Sequence, residues 1–154
     1  MVLMSVMELS RSHERTLIVL EDVEHRFRLK FCTDPHEAER LAREMGRARC
    51  SCNPVYDFVH ALLRALRATI THVVLDDAGL RSIRAVVCLE REGLEIALPC
   101  YPPDALALAL RARVPIYATA GALAHAEPLS PDDAPPSAPA DLREWLERVK
   151  PEDF

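Results

Sequence analysis

The sequence predicts an α+β fold: a mostly antiparallel sheet with two amphipathic helices packed on it, one buried helix, and a C-terminal helix on a Pro-rich tether. Three observations predict it. HRFRLKF alternates Phe27, Leu29 and Phe31 with Arg26, Arg28 and Lys30, the period of a strand with one wet face. Two later segments each open with a cap residue and a proline, then place apolar residues three and four apart, as amphipathic helices do. A third stretch, DALALALR, is apolar on every side and has to be buried.

The elements follow in order. Residues 15–32 read as a hairpin, with TLIVL in one strand and HRFRLKF in the other. TDPHEAERLAREMG predicts the first helix. Asp34 is its N-cap, Pro35 its first residue, Glu37 the capping-box partner and Gly46 the stop, and Ala38, Leu41, Ala42 and Met45 share one face. NPVYDFVHALLRALR predicts the second, capped by Asn53. Val55, Phe58, Val59, Leu62, Leu63 and Leu66 make its apolar stripe, and Asp57, His60 and Arg64 lie opposite, three and four residues apart. Three strands come next, ITHVVL, SIRAVVCL and LEIAL, joined through DDAGLR and the tight EREG turn. The buried helix, with Leu106, Leu108 and Leu110 among alanines, leads to VPIYA as a short closing strand. PLSPDDAPPSAPA holds five prolines and no apolar period, so residues 128–140 form a linker between the body, 1–127, and the segment 141–154. In that last segment an Asp141/Glu144 capping box precedes a sticky face of Leu142, Trp145, Leu146 and Val149. This face is expected to dock on the body or on another subunit.

The whole chain sets bounds on function. Its 154 residues suffice for one domain with a hydrophobic core of its own. No run of 18 apolar residues is present, so no membrane span is expected, and the first fifteen residues lack the pattern of a secretory signal. A cytoplasmic protein is expected. Five cysteines, an odd number, argue against a disulfide framework. Cys50 and Cys52 are too closely spaced for the usual zinc half-site, while Cys88 and Cys100 read as small core residues. The net charge of −5 leaves at most a local basic patch for nucleic acid. His13, His25, His36, His72 and His125 show no ligand spacing.

Several stretches together resemble the bifunctional nuclease domain. PPDALALALRARVPIYA is similar to that family's R-P-S-D-A-[IL]-A-L-A-L-R segment with its following proline and strand. LKFCTDPHEAERLA resembles L-P-I-x-I-G-x-x-E-A, VYDFVHALLRAL resembles T-H-D-L-L-x-x-x-L-x-x-L, and LREWLERVKPEDF resembles the family's tail. Asp104, Pro102, Asp57 and Glu37 match motif residues. The motif arginine falls on Tyr101, its serine on Pro103, an aspartate on Pro99, the histidine on Tyr56 and a threonine on Val55, and a further arginine falls near Cys52. The resemblance implies hydrolysis of phosphodiester bonds in DNA or RNA.

Such chemistry needs an activated water and neutralisation of the charge that develops on phosphorus. The catalytic candidates are Asp104, Asp57 and Glu37. Asp57 and Asp104 are candidates to hold Mg²⁺ or Mn²⁺, with His60 and Arg64 as contacts to substrate. Each also has a structural reading. Asp104 complements the first turn of a buried helix, Glu37 completes a capping box, and Asp57, His60 and Arg64 line a solvated helix face. Loss of the motif's Arg, His and Ser favours a non-catalytic interaction module or a small-ligand regulator; the retained carboxylates favour an enzyme. A homo-oligomer is expected.

Overall fold

The computed structural model describes residues 1–12, 15–46 and 53–129. The expected linker from residue 130 onward, the C-terminal helix, and the Cys50/Cys52 pair lie outside the described residues.

The chain forms β1 (Val2–Ser12), β2 (Arg15–Asp22), β3 (Phe27–Thr33), α1 (Pro35–Met45), α2 (Pro54–Ala65), β4 (Ala68–Gly79), β5 (Ser82–Arg91), β6 (Leu94–Cys100), α3 (Pro102–Ala112), β7 (Ile116–Ala118), α4 (Ala120–Leu123) and β8 (Glu127–Pro128). The strands make one sheet in the order β6-β5-β4-β7-β1-β2-β3-β8, antiparallel throughout except for the parallel β4–β7 pair. The α+β class is as the sequence predicts. Three-residue β7 is the joint between two antiparallel halves: Ile116 stands opposite Met4 on one side and Val73 on the other.

Strand alternation sorts side chains to two faces. Ile18, Leu20 and Leu29 from one half and Val73, Leu75, Val87 and Leu89 from the other form one continuous core with Leu41 of α1 and Leu106 of α3. As expected for an all-apolar helix, α3 buries Ala105, Leu106, Ala107 and Ala109, with Leu108 and Leu110 half-buried. Cys88 and Cys100 are half-buried, and burial raises both thiol pKa values.

Several expectations needed correction. The first residues form β1, inserted between β7 and β2; a register shift between Val6 and Glu8 breaks its period-two pattern, which hides it in the sequence. The closing segment adds α4 and β8, and β8 carries Glu127–Pro128 onto the free edge of β3. At α1, Asp34 does cap, its Oδ1 accepting from the His36 amide at 2.9 Å, but Glu37 does not complete the box. Glu37 turns along the helix to Arg40 instead, a fully charged partner one turn on. Asn53 does not cap α2 with its side chain; it donates to Glu44 Oε1 at 2.7 Å and ties the end of α1 to the start of α2. Finally, the apolar stripe of α2 is real but mostly uncovered. Tyr56 is buried and Val59 and Leu63 half-buried, whereas Val55, Phe58, Leu62 and Leu66 face solvent.

Candidate functional site

Helices α1 and α3 pack against each other, and each carries a carboxylate in its first turn: Glu37 on α1 and Asp104 on α3. The N-terminal turn suits an anion because its amides lack partners within the helix. Prolines at the first positions of both helices fix where those turns begin.

Tyr56, from α2, joins the two. It is 3% exposed, and its hydroxyl donates to Asp104 Oδ1 at 2.6 Å. Burial, then the bond to the Asp104 carboxylate, pushes the phenol pKa well above its usual range, so Tyr56 remains a protonated donor. The other oxygen of half-buried Asp104 takes no hydrogen bond from the described residues. Arg40 Nη2 lies 2.5 Å from Glu37 Oε2, and the negative charge of Asp104 also acts on this guanidinium. Glu37 and the other anions hold Arg40 firmly in its charged form.

Among the described residues, two buried side-chain oxygens lack an aligned hydrogen bond, and both belong to this end of α1: Thr33 Oγ1 and Glu37 Oε2. The short Arg40–Glu37 contact is therefore an ion pair by distance without hydrogen-bond alignment. Buried polar atoms are nearly always paired; Glu37 Oε2 has the Arg40 charge against it, whereas Thr33 Oγ1 marks a spot where a polar partner is missing. Beside it opens a cleft of about 330 Å³ lined by Arg15, Cys32, Thr33, Asp34, Pro35 and Tyr101. Arg15 makes no ion pair among the described residues, and the Tyr101 ring is exposed.

The other sequence candidates sit elsewhere. Asp57 pairs with Arg111, which also contacts Glu44 at 3.1 Å. Arg111 lies two turns along α3 from Asp104, about 10 Å of helix rise. His60 and Arg64 are exposed on α2 and make no ion pair among the described residues. The structure thus groups Glu37 with Asp104 and places Asp57 in a separate ion-pair group. Among the described residues, no three His, Cys, Asp or Glu side chains gather as a ready metal cage.

Sequence reasoning missed Tyr56 and Arg40 as members of this group. Arg40 was visible as the i+3 neighbour of Glu37. Tyr56 stood at the position of the motif's histidine, but its partner Asp104 follows only from the tertiary approach of α2 to α3. A second polar group, on the opposite sheet face from Leu75, was also unforeseen. There Asp76 accepts from Thr119 Oγ1 at 2.6 Å and pairs with Arg84, and these contacts hold its pKa down at about 2. Next to it, the Gly79 amide and then His125 lower the pKa of Asp77, whose Oδ1 lies 2.9 Å from His125 Nε2.

The family model of the bifunctional nuclease domain matches residues 18–129. The chain belongs to that family. The matched region runs from β2 to the residue after β8, and so takes in α1, α2 and α3 with the whole Glu37–Arg40–Tyr56–Asp104 group. Similar proteins include two of Mycobacterium tuberculosis, uncharacterized protein Rv1829 of strain ATCC 25618 / H37Rv and uncharacterized protein MT1877 of strain CDC 1551 / Oshkosh. Each is 31% identical over 126 residues, covering 77% of this chain and 75% of the relative. No helix among the described residues of this family member is long and apolar enough to cross a membrane.

Proposed function

We propose that the chain hydrolyses phosphodiester bonds of nucleic acid at the joint start of α1 and α3, with Asp104 as the working carboxylate. The observation that carries this reading is the asymmetry of Asp104: one oxygen is fixed by buried Tyr56, and the other is left open. A fixed carboxylate with a free oxygen can take a proton from an attacking water. Arg40 supplies a permanent positive charge for the phosphate, Glu37 orients Arg40, and Arg15 and Tyr101 offer the neighbouring cleft a cation and a ring.

A divalent ion fits this group in a limited way. Mg²⁺ keeps several waters and needs one or two protein carboxylates. The open Asp104 oxygen offers one, whereas Glu37 Oε2 lies against Arg40 and would contribute only by leaving it. Asp57 would contribute only by leaving Arg111. Such an ion would polarise the phosphate and lower the pKa of a bound water.

The test is cleavage of single-stranded DNA, duplex DNA and RNA, with Mg²⁺ or Mn²⁺ and then with chelator. Wild type is compared with Asp104→Asn and Tyr56→Phe. Asp104→Asn is expected to lower turnover at least a hundredfold in a protein that melts normally. Tyr56→Phe keeps the ring packing, frees the carboxylate to turn, and should cost roughly tenfold (about 1.4 kcal/mol). Cleavage unchanged in Asp104→Asn removes the carboxylate from the mechanism. No cleavage by wild type under any condition favours the second reading, a non-catalytic binding module; its support is that Tyr56, Tyr101 and Pro103 stand where the family motif has His, Arg and Ser.

A further inference from the structure

Two apolar surfaces of the body are left uncovered. On α2, Val55, Phe58, Leu62 and Leu66 form a stripe on the flank of the helix, with Phe58 66% exposed. On β6, the outermost strand, Leu94, Ile96 and Leu98 are exposed, with Leu94 at 69%. The register explains the second. Ile96 stands opposite Leu89 and Leu98 opposite Val87, so all three β6 residues point to the helix-bearing face of the sheet. Helix α3 packs mainly on β4 and β5 and leaves most of β6 exposed. The two surfaces converge at one end of the sheet: Leu66 precedes Ala68, which pairs with Arg91, which pairs with Leu94.

We propose that these surfaces are the two halves of a two-fold homodimer interface, the α2 stripe of each copy lying on the bare β6 face of the other. The two surfaces are, first, complementary. A helix stripe without a sheet and a sheet strip without a helix satisfy each other, and a two-fold axis makes the exchange reciprocal. Second, their size suits a pair. The exposed parts of these side chains amount to roughly 600 Å², the upper end of what monomers show and near the roughly 800 Å² that one partner of a stable pair buries. Third, the edge of β6 is guarded. Pro99 cannot donate to a further strand and Glu95 places a charge there, so the face is offered and strand addition is opposed.

Within the chain, the other candidate occupant is its own C-terminal segment, and the test separates it from a second copy.

The test is the mass of the full chain in solution, by light scattering on a sizing column, for wild type, Phe58→Lys, Ile96→Glu, and the two variants mixed. Wild type is expected to run as a dimer and each variant alone as a monomer with unchanged far-ultraviolet dichroism. Because the helix of one copy meets the sheet of the other, the mixture sets the introduced lysine against the introduced glutamate at one contact and leaves the second contact intact. The mixture should therefore regain the dimer mass. A monomeric wild type at 100 μM overturns the proposal. So does a dimer that both single variants leave unchanged, or a mixture that stays monomeric. In the full chain, loss of the dimer in Trp145→Asp but not in Phe58→Lys would assign the interface to the C-terminal segment and overturn the proposal.

Discussion

Asp22 and Asp104 show how the surroundings of one carboxylate make it structural and those of another make it chemical. Asp22 is 1% exposed and saturated: Oδ1 accepts from the Arg26 amide at 2.6 Å and the Phe27 amide at 2.8 Å, and Oδ2 accepts from Arg26 Nε at 3.1 Å. Nothing is left for a substrate. Burial works to raise the Asp22 pKa, but the two amides and Arg26 outweigh it and the net shift is downward. At neighbouring Glu21, burial is likewise opposed and outweighed by Arg28 and His25. Both folded pKa values lie below their unfolded values, so this contribution to stability is full above the usual carboxylate range and disappears as pH falls through the folded values. Melting temperature should hold steady near neutrality and drop below about pH 4. Asp22→Asn loses the charge that the Arg26 guanidinium and the turn amides need. It should cost about 2 kcal/mol at pH 7 and flatten the acid limb of the melting curve. An unchanged acid limb in that variant would remove Asp22 from the account.

At the scale of elements, α1 and α2 look alike in sequence and differ in what covers them. Both open on a cap and a proline, and both carry apolar residues three and four apart. On α1 the stripe is met by β2 and α3, and Leu41 is 0% exposed. On α2 only Tyr56 turns fully inward, and Leu62 stays 44% exposed. Leu41→Ala should therefore cost about 2–5 kcal/mol in urea unfolding, and Leu62→Ala under about 1 kcal/mol in the monomeric Phe58→Lys background, where dimer loss cannot add to it. Equal costs would mean that α2 is packed as deeply as α1. Periodicity announces an apolar stripe and says nothing about its partner. This is why both helices were legible and their different burial was not. For the same reason the 27–31 alternation and the buried α3 could be read directly. The bulge in β1 removed the alternation that would have announced that strand, and four-residue α4 is too short to have a period.

For the whole molecule, the decisive feature is the least visible one in the sequence. The sheet consists of two antiparallel halves, β4-β5-β6 and β1-β2-β3-β8, held together by three residues of β7 and by a shared helical layer. Local signals describe hairpins well because their strands are neighbours in the chain. The β1–β7 and β4–β7 pairings join segments far apart in the chain, so no turn or short-range period records them. The candidate site has the same origin: Glu37 and Asp104 were legible as helix-start carboxylates, whereas their shared location with Tyr56 depends on how α1, α2 and α3 meet over this joined sheet. If β7 is the joint, a cavity there has to weaken both halves at once. Ile116 is 4% exposed and packs between Met4 and Val73. Ile116→Ala should cost about 2–5 kcal/mol. Native-state hydrogen exchange should show that loss equally at the Leu20 amide in one half and the Val87 amide in the other. Protection lost at Leu20 and kept at Val87 would mean that the halves unfold separately and that the helical layer, not β7, makes them one unit.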